Sequence, residues 1–154
     1  MGAQENPVLI DTNVFVVDLR YKRDVHYRRN QMFLKAIAEK GTGYTTIVNL
    51  LELCGILSFN LNERQLLGLW LYFEDKYKVN VLPPARMESH FPLIGMQHLF
   101  DILKKGVSLG DALVLSVAGR HLPFALTMVT WDRDHFEEKF PGEVLTPEQY
   151  LRSV

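Results

Sequence analysis

Five acidic residues stand at points of this 154-residue chain where carboxylates can do chemistry. Asp11 interrupts the greasy run "VLIDTNVFVV", and Glu52 ends up among apolar neighbours in "TTIVNLLEL". Asp111 opens "DALVLSVAG", and Asp132 follows an apolar run in "TWDRDHF", with Asp134 two residues on. An ionised carboxylate beside apolar residues costs several kcal/mol unless a hydrogen bond, a partner or a metal satisfies it. Hard oxygen ligands brought together from separate parts of a chain are what Mg²⁺ or Mn²⁺ needs.

Each acid also has an ordinary structural use. Asp11 can serve a turn or a helix cap. Glu52 can be solvated or pair with an arginine, although its spacing with Ile56 and Phe59 predicts an apolar face for it to join. Ser108 and Asp111 have capping-box spacing, and an acid in a first helical turn suits the macrodipole. Asp132 can be a plain N-cap. If all four share one edge of a sheet, they repel each other unless a cation binds among them, so the joint reading outweighs the separate ones.

The elements that must position these residues alternate. Val8-Leu9-Ile10 is a short β-branched run suited to a strand buried on both faces. The pattern predicts a helix from about Val25 to Lys40, a strand at 43–46, and a helix from Ile47 to Leu57 capped by Thr46. A helix over Glu63–Tyr77 carries Trp70, Phe73 and Tyr77, whose main use is core packing. Residues 79–82 read as a strand, 86–104 as a helix, and 109–120 as a helix apolar nearly all round and hence buried. A strand over 124–129, a short charged helix over 133–140, a strand at 143–145 and a last helical turn complete the series. No helix is read between Ile10 and Val25. The alternation predicts a single α/β domain over residues 1–154, three layers deep, with a mainly parallel central sheet flanked by helices. In such folds sites form beyond the carboxyl ends of the strands, where all the acids fall.

Bulk properties narrow the function. The net charge of −1 gives no global basic field, so any nucleic-acid contact must be local. The run "RYKRDVHYRR" supplies one candidate: Arg20, Lys22, Arg23, Arg28 and Arg29 against a single acid, with Tyr21 and Tyr27 interleaved. It is either a solvated surface or a track for RNA phosphates and bases, and its position just after Asp11 favours RNA. The single Cys54 forms no intrachain disulfide, and neither a signal peptide nor a membrane span is expected, which fits the cytoplasm. The five histidines lack metal-ligand spacing, and no Ser/His/Asp or Cys/His arrangement competes with the acids.

"VLIDTNVF", "TTIVNLLEL" and "SLGDALVLSVAGRHLPFALTMVTWDRDHF" together resemble the successive signatures of the PIN-domain ribonucleases, above all the VapC-type toxins of toxin–antitoxin pairs. The resemblance runs in order over almost the whole chain. It implies a PIN-like fold and metal-dependent hydrolysis of RNA phosphodiesters. It places the metal-binding, catalytic acids at Asp11, Glu52, Asp111 and Asp132, with Asp134 as the alternative for the last. Asn13 and Thr130 match the polar residues that support the site. Mg²⁺ or Mn²⁺ as cofactor, an RNA substrate, a protein antitoxin and a homodimer built on the helices after the second strand are further implications. An RNA-processing nuclease outside a toxin pair, or a PIN-like module that binds without cutting, is the alternative. A phosphotransfer site of the haloacid-dehalogenase kind needs a second Asp at position 13, where this chain has Asn13.

Overall fold

The computed structural model describes residues 6–122, 124 and 127–154. Five strands line up in the order β3-β2-β1-β4-β5: β1 (Val8–Ile10), β2 (Gly43–Thr46), β3 (Asn80–Leu82), β4 (Thr127–Val129) and β5 (Glu143–Leu145). Every pairing is parallel. From β1 the chain first builds outward to β2 and β3, then returns to lay β4 on the other side of β1. The carboxyl ends of β1 and β4 therefore flank a topological switch point, where a crevice opens in a doubly wound sheet.

Helices cover both faces: α1 (Thr12–Arg20), α2 (Tyr27–Lys40), α3 (Ile47–Leu57), α4 (Glu63–Tyr77), α5 (Met96–Leu103), α6 (Leu109–His121), α7 (Arg133–Phe136) and α8 (Pro147–Ser153). Successive strand side chains point to opposite faces, and the core divides accordingly. Val8, Ile10, Val81 and Val129 join Phe15, Phe33, Leu50, Phe73 and Tyr77 in the larger cluster. Leu9, Met128 and Val144 face the other way, against Ala118, Leu122 and Phe136. This is the expected three-layer arrangement, with a sheet that is parallel throughout. Gly43 is required where β2 presses on α2, because a Cβ there would lie 2.5 Å from Cγ2 of Ile37.

Several boundaries depart from the sequence reading. The largest departure is α1, which no periodicity announced. Its valines cost only tenths of a kcal/mol each in a helix, whereas burying Val14 and Phe15 completely contributes roughly 1.5–3 kcal/mol apiece. The expected helix over 86–104 shrinks to α5. Pro92 and Gly95 lie on its N-terminal side, and no regular element spans residues 83–95. The helix over 133–140 ends at Phe136, where Glu137 takes an extended conformation and Glu138 a positive φ of 73°. Of the strand over 124–129, Thr127–Val129 is observed, while Ala125 and Leu126 lie outside the described residues. Helix α6 is buried along its middle as expected, its residues entering both core clusters, and is exposed only towards its ends, at Leu109, Gly119 and Arg120. Among the described residues no helix is long and apolar enough to cross a membrane.

Candidate active site

The register of β1 and β4 pairs Ile10 with Val129, so the residues that follow, Asp11 and Thr130, emerge side by side. Asp11 donates its N–H to the Val129 carbonyl (3.0 Å), then turns the chain straight into α1 as its N-cap. Its carboxylate is almost wholly buried. Oδ1 accepts from the Thr12 N–H (2.8 Å) and from Asn49 Nδ2 (3.4 Å), while Oδ2 accepts from the Thr130 hydroxyl (2.8 Å).

Thr130 has no exposed surface and its hydroxyl is fully used. Besides donating to Asp11, Oγ1 accepts from Asn13 Nδ2 (3.0 Å) and from the Asp132 N–H (3.0 Å). Asn13 reaches back from α1 and bridges. Its Nδ2 also donates to Oδ2 of Asp132 (3.3 Å), and its Oδ1 accepts from the Trp131 N–H (3.1 Å). The supporting pair expected from the sequence, Asn13 and Thr130, thus ties Asp132 to Asp11. Asp132 occupies the N-cap position of α7, but its side chain makes no capping hydrogen bond.

Glu52 enters from α3. Thr46 and Asn49 form a reciprocal capping box, and the Asn49 amide is free to donate to Thr12 Oγ1 (2.9 Å). Thr12 Oγ1 in turn donates to Oε1 of Glu52 (3.2 Å). A Cβ on Gly110 would meet the other oxygen of Glu52 at 3.3 Å, so the start of α6 lies against this carboxylate. Asp111 is the next residue. Ser108 caps α6 through the Asp111 N–H (3.2 Å), leaving the Asp111 carboxylate without a hydrogen bond from any described residue. The expected apolar stripe beside Glu52 does not form, because Ile56 and Phe59 face outward, 37% and 88% exposed.

Electrostatics follows from this packing. Burial pushes the Asp11 carboxyl up from 3.8 to about 7, against the hydrogen bonds of Thr130 and Thr12 and with added repulsion from Glu52 and Asp111. Burial likewise raises Glu52, opposed by the Thr12 hydrogen bond and reinforced by Asp111. No ion pair among the described residues reaches these carboxylates. Asp134 stands apart from the Asp11 network and lines an open depression of about 380 Å³ with Asp111, Ser108, His135 and Lys139.

The donor set is all oxygen, with neither Cys nor His, and suits a hard cation such as Mg²⁺ or Mn²⁺. Among the described residues no three acidic, histidine or cysteine side chains stand close enough to enclose an ion unaided.

The basic run lies at the rim of the same edge. Arg20, Lys22, Arg23, Arg28 and Arg29 are all exposed at the end of α1, the following turn and the start of α2. His26 stacks on Trp131 with ring centroids 4.2 Å apart, and Trp131 Nε1 donates to Asn30 Oδ1 (2.8 Å), fastening the run beside Asp132. Sequence reasoning missed Thr12, Asn49 and Trp131 as parts of the site. Only Asn49 had a signal, its spacing from Thr46.

Three solved structures resemble the chain over nearly their full length. FitAB bound to an IR36 DNA fragment matches with TM-score 0.58 at 19% identity, over 92% of this chain and 95% of that one. VapBC2 from Rickettsia felis, bound to a DNA fragment from their promoter, matches with TM-score 0.56 at 19% identity, over 90% and 96%. The chain shares their fold. FitAcB from Neisseria gonorrhoeae gives TM-score 0.57 at 20% identity over 91% and 97%. No protein-family model and no curated protein matches the sequence.

Proposed function

We propose that the protein is a PIN-domain, metal-dependent endoribonuclease that hydrolyses RNA phosphodiester bonds, acting as the toxin of a toxin–antitoxin pair. The observation that carries this reading is the buried Asp11, wired through Thr130 and Asn13 to Asp132 and repelled by Glu52 and Asp111, with no basic side chain among the described residues paired to it. Asp11, Asp111 and Asp132 would hold the ion directly or through water. Glu52, steadied by Thr12, would orient a water. Bound there, a divalent ion supplies a more acidic water and neutralises charge on the phosphate oxygens. The exposed arginines and Lys22 hold the flanking phosphates. The RNA 2′-hydroxyl takes no part, so products carry 5′-phosphates.

The fold shared with FitAB and VapBC2 supports a protein antitoxin as partner. Exposed Phe59, Leu67, Leu71 and Tyr72 on and beside α3 and α4 supply an apolar face for a second copy. The test is cleavage of single-stranded RNA by purified protein in Mg²⁺ or Mn²⁺, stopped by EDTA and abolished in a folded Asp111→Asn variant. Products ending in cyclic 2′,3′-phosphates would refute the mechanism.

A further inference from the structure

We propose that the loop between β3 and α5 forms a second, base-holding pocket that positions a nucleotide neighbouring the cleaved bond. The inference rests on the RNA-cleaving reading and names how that site chooses its substrate.

A cleft of about 260 Å³ is lined by Ile47, Trp70, Pro83, Arg86, His90 and Phe91, among others. Ile47 is the first residue after β2 and Pro83 the first after β3, so the cleft opens on the same carboxyl edge as Asp11 and Thr130. With strands roughly 4.8 Å apart, the ends of β2 and β3 lie about 5 and 10 Å from that of β1. That is the reach of the neighbouring nucleotides of one bound strand. The basic run fastened by Trp131 stands on the opposite, β4 side, so a strand crossing Asp11 has an anchor at each end.

The chemistry of the lining fits a base. Trp70 is half buried against the core, while Phe91 is 52% exposed and offers a free ring face. Aromatic faces stack on any base, and arginine or histidine can read its edge or hold its phosphate. Arg86 and His90 are exposed, and neither side chain has a hydrogen-bond or ion-pair partner among the described residues. The two sides are mixed, apolar and polar, as a nucleotide is.

The experiment compares single-stranded RNAs that differ only by an abasic site one or two nucleotides from the cleaved bond. Binding is read by anisotropy of labelled RNA in EDTA, and cleavage by kcat/KM in Mn²⁺. Wild type is expected to bind and cleave the abasic RNA about ten-fold less well, a discrimination lost in Phe91→Ala and Arg86→Ala, both exposed positions. Equal binding of intact and abasic RNA by wild type would overturn the inference and leave the cleft to a peptide. If wild type discriminates in the binding assay yet cleaves nothing, the cleavage reading fails and the pocket stands. If it cleaves both RNAs equally, the reverse holds.

Discussion

Asp11→Asn in metal-free protein should flatten the way stability depends on pH. The Asp11 carboxyl titrates at about 7 in the folded chain against an ordinary 3.8, chiefly because it is buried. Below about pH 4 both folded and unfolded chains hold the proton, and the site costs nothing. Between about 4 and 7 the unfolded chain releases the proton while the folded chain keeps it. The unfolded state binds fewer protons there, so stability falls as pH rises. Above 7 the full cost is in place, roughly 4 kcal/mol on an order-of-magnitude reckoning from that displacement. Glu52, raised in the same sense, adds to the slope.

An asparagine cannot ionise, so Asp11→Asn should lose most of that slope and be the more stable protein at pH 8 in EDTA. Urea denaturation at several pH values from 4 to 8 measures it directly. Adding Mg²⁺ should restore wild type at pH 8, since a ligand that binds only the folded, ionised site stabilises it by mass action, and should leave the variant unmoved. Superimposable pH profiles for the two proteins would refute the reasoning. So would an asparagine variant destabilised at pH 8.

Thr130→Val removes a buried hydroxyl that makes three hydrogen bonds, leaving the Asn13 amide and the Asp132 N–H short of an acceptor. A loss of about 2–4 kcal/mol by urea titration is expected, with RNA cleavage falling at least ten-fold in the fraction that remains folded. Arg23→Glu with Arg28→Glu, both exposed, should leave stability within about 0.5 kcal/mol while weakening RNA binding and flattening its salt dependence. Lys78 ends α4 with a left-handed φ of 54°, so Lys78→Gly should raise stability by about 0.5–1 kcal/mol, read as a higher urea midpoint.

What the sequence made legible, and what it hid, follows from how far each interaction reaches along the chain. Strand runs such as Val8–Ile10 and capped helices such as Thr46 with Ile47–Leu57 are local signals, and both fall where expected. Helix α1 was hidden because its residues are β-branched and its stabilisation is tertiary: Val14 and Phe15 are buried by α2 and α4, and Asn30 donates to the Val14 carbonyl from sixteen residues away. Asp11 ends β1 as the sequence reading had it, and caps the helix that reading lacked; that single turn aims its carboxylate at β4. Asp11, Asp111 and Asp132 stood out in the sequence because their positions are strand ends and helix starts, and Glu52, midway along α3, because of its apolar neighbours. The residues that make them a unit did not. Thr12, Asn49 and Trp131 join the unit through partners 37 to 118 residues distant, and their types are equally suited to ordinary caps and cores. A carboxylate cluster is therefore readable as a list from sequence, but its wiring, and hence which acid is buried and raised toward neutrality, exists only once β1 and β4 lie side by side.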